Sequence, residues 1–228
     1  MTRPTVSCIV PAYNEAARIG AVLAAVCGHA LVDEVIVVDD ASTDATADVA
    51  AVHGGARVLR QDRNGGKTLA LYRGLTEARG DLVLLLDADL TGLTGEHVAR
   101  LIGPVASGRA GMAISLRGNA PGLWRAIGLD YISGERVMPR DFLAPLLAEL
   151  PRLPRFGFEV WLNSLLVAGQ LPLAVVPWPE VASPWKHSKR GLRQGLIADL
   201  RMVQDMTRTI PAHRLLAQIV AMRRMRVG

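Results

Sequence analysis

The first half of the chain alternates short apolar stretches with segments whose apolar residues recur at helical spacing. Strands are predicted at Thr5–Val10, Glu34–Asp39, Arg57–Leu59, Asp81–Leu86 and Ala110–Leu116. Helices are predicted between them at Ala16–Cys27, Ala45–His53, Lys67–Ala78 and Gly95–Ser107, the last capped by Thr94. This alternation predicts an α/β fold with a mostly parallel, doubly wound, Rossmann-like sheet flanked by helices.

Beyond Arg117 the alternation breaks down. Glycine, proline and tryptophan accumulate between Gly118 and Gly134, which indicates a substrate loop. Later predicted elements are helices at Arg140–Leu150 and Phe158–Ala168, a strand at Leu173–Val176, and C-terminal helices at Leu192–Arg208 and Ala212–Arg226. We therefore expect one domain followed by a helical appendage.

The composition is that of a globular protein in a reducing compartment. Of 228 residues, 50% are hydrophobic and 21% charged. Cys8 in a buried strand and Cys27 near a helix end argue against a disulfide framework. Polar residues interrupt the N-terminal segment, so we expect no signal peptide, and no apolar run reaches the ~18 residues of a spanning helix. A cytoplasmic protein, soluble or peripheral at the membrane, is expected.

The net charge of +5 is unevenly distributed. From Lys186 onward, ten Lys and Arg residues face two Asp, a balance of +8 that leaves −3 on residues 1–185. Because the basic character belongs to the tail and no zinc-finger or RNA-recognition signature accompanies it, we expect no nucleic-acid partner.

Polar clusters follow four of the predicted strands and loops. They are Pro11-Ala-Tyr-Asn-Glu15, Asp39-Asp-Ala-Ser-Thr-Asp44, Asn64-Gly-Gly-Lys-Thr68 and Asp87-Ala-Asp89. Because ligands bind beyond the carboxyl ends of parallel strands, Asp87 and Asp89 should face a cleft. Carboxylates together with substrate phosphates are what Mg²⁺ or Mn²⁺ takes as ligands. The sequence therefore predicts a metal–diphosphate site.

In their order and spacing, these four segments resemble the inverting glycosyltransferases of family 2, which have the GT-A fold. The resemblance covers residues 5 to about 115. It continues more loosely through Ser133–Arg136, Phe156–Glu159 and Trp185–Lys189. There the chain is most similar to polyprenol-phosphate sugar transferases and to small glucosyl- and mannosyl-glycerate synthases. The resemblance implies a GT-A domain over 1–190, with a nucleotide-sugar half (1–116) and an acceptor half (117–190), and an appendage over 191–228.

The resemblance also implies roles for single residues. The donor-binding set that it implies is Pro11, Tyr13, Glu15, Asp39, Asp40, Lys67 and Asp87. Within it, Tyr13 and Asp39 would contact the base, Glu15 the ribose, and Asp40 the same pocket. Lys67 would approach the base or diphosphate, and Asp87 the ribose and donor sugar. Asp89 would bind Mg²⁺ or Mn²⁺, and Asp87, Asp89 and Glu159 form the catalytic set.

Residues in the second half have two interpretations each. Glu159 is a candidate general base or an anion favoured at a helix N-terminus, and Asp130 and Glu135 are weaker base candidates. Arg136 is an acceptor-side contact or a surface charge. His187 is a second metal ligand or a solvent-facing side chain. Lys189, with the cations around it, would grip the diphosphate or an acceptor phosphate. Thr91 replaces a glutamine that the polyprenol-phosphate enzymes often carry, so it is a doubtful metal ligand.

Other enzyme classes fit the sequence less well. A P-loop would need a glycine where Gln61 stands, and a dinucleotide-binding dehydrogenase would need G-x-G-x-x-G after the first strand. A metal-dependent nucleotidyltransferase and a binding module that has lost catalysis stay open. The predicted reaction transfers a hexose from a UDP- or GDP-sugar to a polyprenyl phosphate, with a small soluble acceptor such as a glycerate as the alternative.

The last predicted helix is basic and amphipathic. Its apolar residues are Leu215, Leu216, Ile219, Val220 and Met222, and arginines flank them. Such a helix lies in a membrane interface, or packs on the body of the protein or on a second copy in a homodimer. We favour packing over membrane contact.

Overall fold

A computed structural model describes residues 3–153, 157–183 and 210–227. Within these residues, eight strands form one sheet. They are β1 (Val6–Ala12), β2 (Glu34–Asp39), β3 (Ala56–Arg60), β4 (Leu82–Leu85), β5 (Met112–Arg117), β6 (Arg136–Pro139), β7 (Leu173–Trp178) and β8 (Arg226–Val227). Their spatial order is β3-β2-β1-β4-β6-β5-β7-β8.

The sheet is parallel except at one strand. β1 pairs in parallel with β2 and β4, and β2 with β3. β6 pairs antiparallel with β4 and β5, whereas β5 pairs in parallel with β7 and β7 with β8. In the described part of the chain, β6 thus runs against the other seven strands. The predicted α/β fold with a mostly parallel sheet is confirmed.

Helices cover both faces of this sheet. They are α1 (Ile19–Val26), α2 (Thr46–Val52), α3 (Lys67–Glu77), α4 (Gly95–Ala106), α5 (Gly122–Ile127), α6 (Arg140–Leu143), α7 (Gly157–Ala168) and α8 (Ala212–Arg224), with a 3₁₀ helix at Ala144–Arg152. Thr94 caps α4 as predicted: its hydroxyl accepts from the His97 N–H, and the His97 ring accepts from the Thr94 N–H.

Two apolar layers sandwich the sheet, because successive strand residues point to opposite faces. In β1, Cys8 and Val10 pack with α1 and α4, whereas Ile9 packs with α3 on the other side. The second layer also takes in Trp124 of α5, the buried side of α7, and Met222 of α8. No helix in the described residues is long and apolar enough to cross a membrane.

The second half differs from the prediction. α5 interrupts the stretch expected to be a loop. The helix expected at Arg140–Leu150 is one turn of α-helix followed by 3₁₀ helix, in a stretch that contains Pro145 and Pro151. Neither proline has the backbone N–H that a regular α-helix would use. The helix expected at Leu192–Arg208 lies outside the described residues.

Two strands were not predicted. β6 begins with a charged residue and ends with a proline, which hides its apolar centre of Val137 and Met138. The last helix ends at Arg224, and the next residues form β8 against β7, with Leu173 opposite Arg226. The predicted domain boundary near residue 190 falls outside the described residues and stays a prediction, but the final segment is joined to the sheet.

Candidate active site

Three neighbouring strands end at the same edge of the sheet. β1 ends at Ala12, β2 at Asp39 and β4 at Leu85, and the three are parallel neighbours in the order β2-β1-β4. Asp87 and Asp89 follow β4 directly, and α3 begins after the loop that leaves β3. The residues expected to hold a donor therefore occupy one rim of the sheet.

The loop after β1 is fastened to the loop after β2. Pro11 is half-buried in β1, and the Tyr13 side chain is 46% exposed. Asn14, with φ of 55°, donates its N–H to the Ser42 hydroxyl over 3.0 Å and accepts from the Thr43 N–H over 2.8 Å. The exposed Tyr13 ring thus belongs to a loop that the hydrogen bonds of Asn14 hold in place.

Glu15 adds a hydrogen bond between the loop after β1 and the start of α2. Its N–H donates to the Thr46 hydroxyl over 2.8 Å, and its carboxylate accepts from Arg18 Nε over 2.7 Å. The side chain is largely buried. The Glu15 carboxylate predicted to contact the ribose is thus already paired with Arg18.

Lys67 joins two carboxylates from distant parts of the chain. Its Nζ lies 2.7 Å from Asp87 Oδ1 and 3.1 Å from Glu159 Oε1. Burial lowers the pKa of the ammonium, but Asp87 and then Glu159 outweigh that effect and raise the pKa above its usual value. Lys67 therefore stays protonated, and Glu159 of α7 is brought to the donor rim.

Gly134 packs directly on this ion pair. A Cβ at this position would lie 2.7 Å from Lys67 Nζ and 2.8 Å from both Asp87 carboxylate oxygens. Real Cβ atoms do not approach so closely, so a side chain here would push the ends of Lys67 and Asp87 out of this position. The prediction missed Gly134, because its importance depends on an approach that the sequence does not reveal.

Asp87 and Asp89 are half-buried and alternate with the buried Ala88 and Leu90. Two carboxylates at this spacing on a strand end suit a hard divalent cation. No group of three or more His, Cys, Asp or Glu able to hold a metal occurs among the described residues. The described residues thus fit Mg²⁺ or Mn²⁺ as part of a ligand set that a diphosphate or a further side chain would complete.

Thr91 is hydrogen-bonded to the backbone of the segment that follows β7. Its hydroxyl donates to the Ala182 carbonyl over 3.0 Å, and its N–H donates to the same carbonyl over 2.8 Å. Such an engaged hydroxyl is not favoured as a metal ligand, in keeping with the doubt raised by the sequence.

His187 and Lys189 lie outside the described residues, and their predicted roles stay predictions. The described chain leading to them is anchored beside the rim. Asn119 donates to the Ser183 carbonyl over 2.6 Å, and Arg117 donates to the Ser183 hydroxyl. The chain therefore leaves the described part close to the loop that carries Asp89.

Asp39 is fully buried at the end of β2. Its carboxylate accepts from Arg60 Nε over 3.2 Å and from the Ser42 N–H over 3.3 Å. The Arg60 side chain is mostly exposed, so this pair combines a buried acceptor with a cation at the surface. The exposed member of this pair is therefore Arg60, and the base contact expected of Asp39 stays a prediction.

Asp40 is held by protein hydrogen-bond donors, and its place in the nucleotide pocket stays a prediction. Its carboxylate accepts from Gln61 Nε2 over 2.6 Å and from the N–H groups of Gly65 and Gly66 over 2.8 and 2.7 Å. Gly66 has φ of +86°, which glycine adopts readily. Asp40 thus fixes the glycine turn that precedes Lys67.

A second charged cluster is buried in the acceptor half. Arg117 lies between Asp130 and Glu135, with nitrogen–oxygen distances of 3.4 and 3.5 Å. Burial, as the largest cause, raises the pKa of Asp130 to about 6, with Arg117 opposing and Glu135 adding to the rise. Ser115 donates to Glu135 over 2.7 Å. The sequence singled out Asp130 and Glu135 but not Arg117.

Arg136 is fully buried at the start of β6, not a surface charge. Its guanidinium donates to the Ser133 carbonyl and the Asn163 side chain, each over 2.7 Å, and to the Tyr131 carbonyl over 3.2 Å. Burial lowers its pKa from the usual value. The group ties β6 to α7, and this burial does not favour the acceptor contact, which stays a prediction.

The fold and the rim together define an α/β protein in which carboxylates and a lysine meet at the carboxyl edge of a mostly parallel sheet. The family model described as "Glycosyl transferase family 2" matches residues 7–154, more than half of the chain. The chain belongs to glycosyl transferase family 2, which confirms the family resemblance.

Similar proteins include enzymes with named activities. Glucosyl-3-phosphoglycerate synthase of Mycolicibacterium paratuberculosis is 38% identical over 113 residues, which is 46% of this chain and 34% of the relative. The 4,4'-diaponeurosporenoate glycosyltransferase of Staphylococcus aureus is 40% identical over 98 residues, 41% of this chain and 26% of the relative. The matched stretches thus span about a third or less of these curated relatives.

Solved structures match over more of the chain. Glucosyl-3-phosphoglycerate synthase from Mycobacterium tuberculosis, in complex with Mn²⁺ and UDP-glucose, superposes with a TM-score of 0.69 at 27% identity. The match covers 90% of this chain and 79% of that chain. The same enzyme in complex with phosphoglyceric acid matches with a TM-score of 0.69 over 90% of this chain and 80% of that one.

Proposed function

We propose that the protein is a Mg²⁺- or Mn²⁺-dependent glycosyltransferase that moves a hexose from a UDP-sugar to a small phosphorylated hydroxy acid of the glycerate type. The observation that carries the proposal is the bridge of Lys67 between Asp87 and Glu159. It joins a carboxylate of the donor rim to a carboxylate of the acceptor half, with a cation between them.

The donor would lie along the ends of β2, β1 and β4. The exposed Arg60, held by the buried Asp39, offers hydrogen-bond donors to a base edge, and the exposed ring of Tyr13 offers a stacking surface. Lys67 offers a charge for the diphosphate. Asp87 and Asp89 would hold the divalent cation, which when bound neutralises charge on the departing diphosphate.

Glu159 is the residue proposed to take the acceptor's proton. As the acceptor oxygen bonds to the anomeric carbon, the bond from that carbon to the diphosphate oxygen breaks. The electron pair leaves with the nucleoside diphosphate, and the hydroxyl proton passes to the Glu159 carboxylate. Glu159 is suited to this role because it reaches the rim from α7, opposite Asp87. Inversion at the anomeric carbon stays a prediction from the family resemblance.

The acceptor differs from the first expectation. The sequence placed a polyprenyl phosphate ahead of a glycerate. Relatives named glucosyl-3-phosphoglycerate synthase, and structures of that enzyme in complex with phosphoglyceric acid or glycerol 3-phosphate, support the glycerate alternative better. Both kinds of acceptor carry a phosphate, which a basic segment such as the one around Lys189 would attract.

The test is a product assay on the purified protein with UDP-glucose, Mn²⁺ and 3-phosphoglycerate. The expected result is acceptor-dependent formation of UDP together with a glucosylated product seen by mass spectrometry. Release of pyrophosphate instead of UDP would identify a nucleotidyltransferase. If neither is released with UDP- or GDP-sugars while UDP still binds, the catalytic proposal is wrong. The anomeric coupling constant in the proton NMR spectrum of the product tests inversion.

A lipid acceptor is the second candidate, and one surface favours it. On α8 the side chains of Leu216 and Val220 are 64% and 49% exposed, one turn apart, with Arg223 and Arg224 following. Such a face suits the cytoplasmic surface of a membrane or a second copy of the chain. Radiolabelled donor incubated with membranes should then yield lipid-extractable sugar, and its absence would exclude this candidate.

A further inference from the structure

We propose that Lys67 couples donor binding to acceptor binding, by holding Glu159 until a donor diphosphate draws the ammonium away. This inference rests on the proposed function and concerns the order of events at that site. It predicts that the acceptor binds well only after the donor, because Glu159 becomes available to the acceptor hydroxyl only then.

The first argument is the geometry of the shared ammonium. Lys67 Nζ contacts Asp87 at 2.7 Å and Glu159 at 3.1 Å, so the two carboxylates lie close to each other across one cation. Gly134 covers this pair so tightly that a Cβ would clash with both Lys67 and Asp87. In this arrangement Lys67 engages the Glu159 oxygen that faces the rim.

The second argument is what a donor brings to the rim. A diphosphate is a stronger anionic partner for an ammonium than one carboxylate is. A divalent cation at Asp87 and Asp89 would also repel Lys67 from Asp87 by like charge. Both effects move the ammonium in the same direction, away from the Asp87–Glu159 position.

The third argument is that the Lys67 side chain is able to move while its backbone stays fixed. Its side chain is 35% exposed and ends a flexible four-carbon stem. Its backbone begins α3 behind the turn that Asp40 holds through Gly65 and Gly66. Donor binding would thus swing the ammonium without unfolding the loop.

Arg117, a buried cation in the acceptor half, is less able to serve this purpose. Arg117 is held by Asp130, Glu135 and Ser183 together, and it is more deeply buried than Lys67. Releasing it would leave two buried carboxylates without their cation, at a high cost in free energy. Lys67 is therefore easier for a donor to recruit than Arg117 is.

The experiment measures thermodynamic coupling between two probes, UDP with Mg²⁺ and 3-phosphoglycerate, by isothermal titration calorimetry. In the wild-type protein, saturating UDP should tighten 3-phosphoglycerate binding by about 5-fold or more, and 3-phosphoglycerate should tighten UDP binding by the same factor. The Lys67→Met variant should bind UDP more weakly and show a coupling factor within about 2-fold of unity, a loss of coupling.

Two further variants separate the role of Lys67 from simple damage. Glu159→Gln should bind UDP at least as tightly as the wild type, because no ion pair with Lys67 has to be broken, and it should lose the coupling. Lys67→Arg keeps the charge and should keep part of the coupling. Arg73→Met is the matched control, since it removes a cation from an exposed pair on the same helix, and it should couple like the wild type.

The outcomes distinguish this inference from the proposed function. If UDP binds but leaves 3-phosphoglycerate affinity unchanged, or if Lys67→Met retains full coupling, the inference about Lys67 is overturned while donor binding stands. If the wild type binds neither UDP nor 3-phosphoglycerate, the proposed function falls, and the inference falls with it.

Discussion

The Asp40 carboxylate and the Gly66 backbone N–H are joined by a 2.7 Å hydrogen bond that links the end of β2 to the start of α3. The same carboxylate also accepts from Gly65 and Gln61. One buried aspartate therefore fixes the turn from which Lys67 reaches Asp87 and Glu159. The donor rim depends on this support as much as on the residues that would contact a ligand.

Replacing Asp40 by alanine should loosen the turn before Lys67. We expect a loss of about 1–3 kcal/mol in the free energy of unfolding, because three hydrogen-bond donors lose their buried acceptor. Amide hydrogen exchange at Gly65 and Gly66 should speed up, and UDP affinity should fall. Asp62→Ala, an exposed change in the same loop, is the control. Unchanged exchange with weakened UDP binding would instead indicate a direct nucleotide contact.

Gly134→Ala should displace the Lys67–Asp87 pair with little effect on folding. The added methyl group would meet Lys67 Nζ and both Asp87 oxygens at under 3 Å. We expect turnover to fall by about 10- to 100-fold, as small misplacements in a reaction site do. Gly103→Ala in α4 has open space around its Cβ and is the matched control. Wild-type turnover in Gly134→Ala would contradict the role of the pair.

Asp89→Ala should abolish the metal-dependent part of nucleotide binding. A carboxylate oxygen is a ligand that Mg²⁺ and Mn²⁺ prefer, and the described residues offer few others. The measurement is the thermal shift caused by UDP with and without Mn²⁺, since a ligand of the native state raises its apparent stability. Asp141→Ala, at a 93% exposed side chain, serves as the control. A full Mn²⁺-dependent shift in Asp89→Ala would exclude this ligand.

The pKa of Asp130 predicts a specific pH dependence of stability. Burial raises this pKa from 3.8 to about 6, so the folded protein keeps a proton that the unfolded chain has already released. Stability should therefore fall as pH rises from about 4 to about 6, by up to about 3 kcal/mol from this group. Asp130→Asn should remove that decline.

Urea denaturation at pH 4, 5, 6 and 7 measures this effect as the difference between the wild type and Asp130→Asn. Comparing the two proteins cancels other carboxyls such as Asp81, whose lowered pKa gives the opposite trend. Parallel pH profiles for the wild type and Asp130→Asn would show that another group is responsible.

Arg136→Lys distinguishes a structural arginine from an acceptor contact. Lysine cannot satisfy the Ser133, Tyr131 and Asn163 groups together, so we expect at least about 2 kcal/mol of lost stability. Urea denaturation is the measurement, with the exposed Arg125→Lys as control. A raised KM for the acceptor with unchanged unfolding free energy would restore the predicted acceptor role.

The sequence predicted the elements whose signals are local. The apolar runs of β1 and β4 identify buried strands, and Thr94 marks the start of α4. β6 escaped prediction because four residues bounded by Arg136 and Pro139 carry little local signal, and its reversed direction is set by pairing with β4 and β5.

The residues of the candidate site also divide into those with a local sequence signal and those defined by long-range contacts. The sequence singled out Asp87, Asp89 and Lys67 by their chemistry and their placement near strand ends, and the structure places Lys67 against Asp87; their roles toward a ligand stay predictions. Gly134 and Arg117 were not singled out, since their importance depends on contacts between segments far apart in the chain. The place of Asp40 in the nucleotide pocket stays a prediction, whereas its hydrogen bonds from Gly65 and Gly66 are not visible in a paired aspartate.

The two residues of β8 have a consequence for handling the protein. They lie on the outer side of β7, and Leu173 donates its N–H to the Met225 carbonyl over 2.9 Å. Trimming the chain after Met222 would expose the backbone of β7. An exposed edge strand pairs with other molecules and forms intermolecular sheets. Truncated versions should therefore precipitate more readily, and affinity tags are better fused at the opposite terminus.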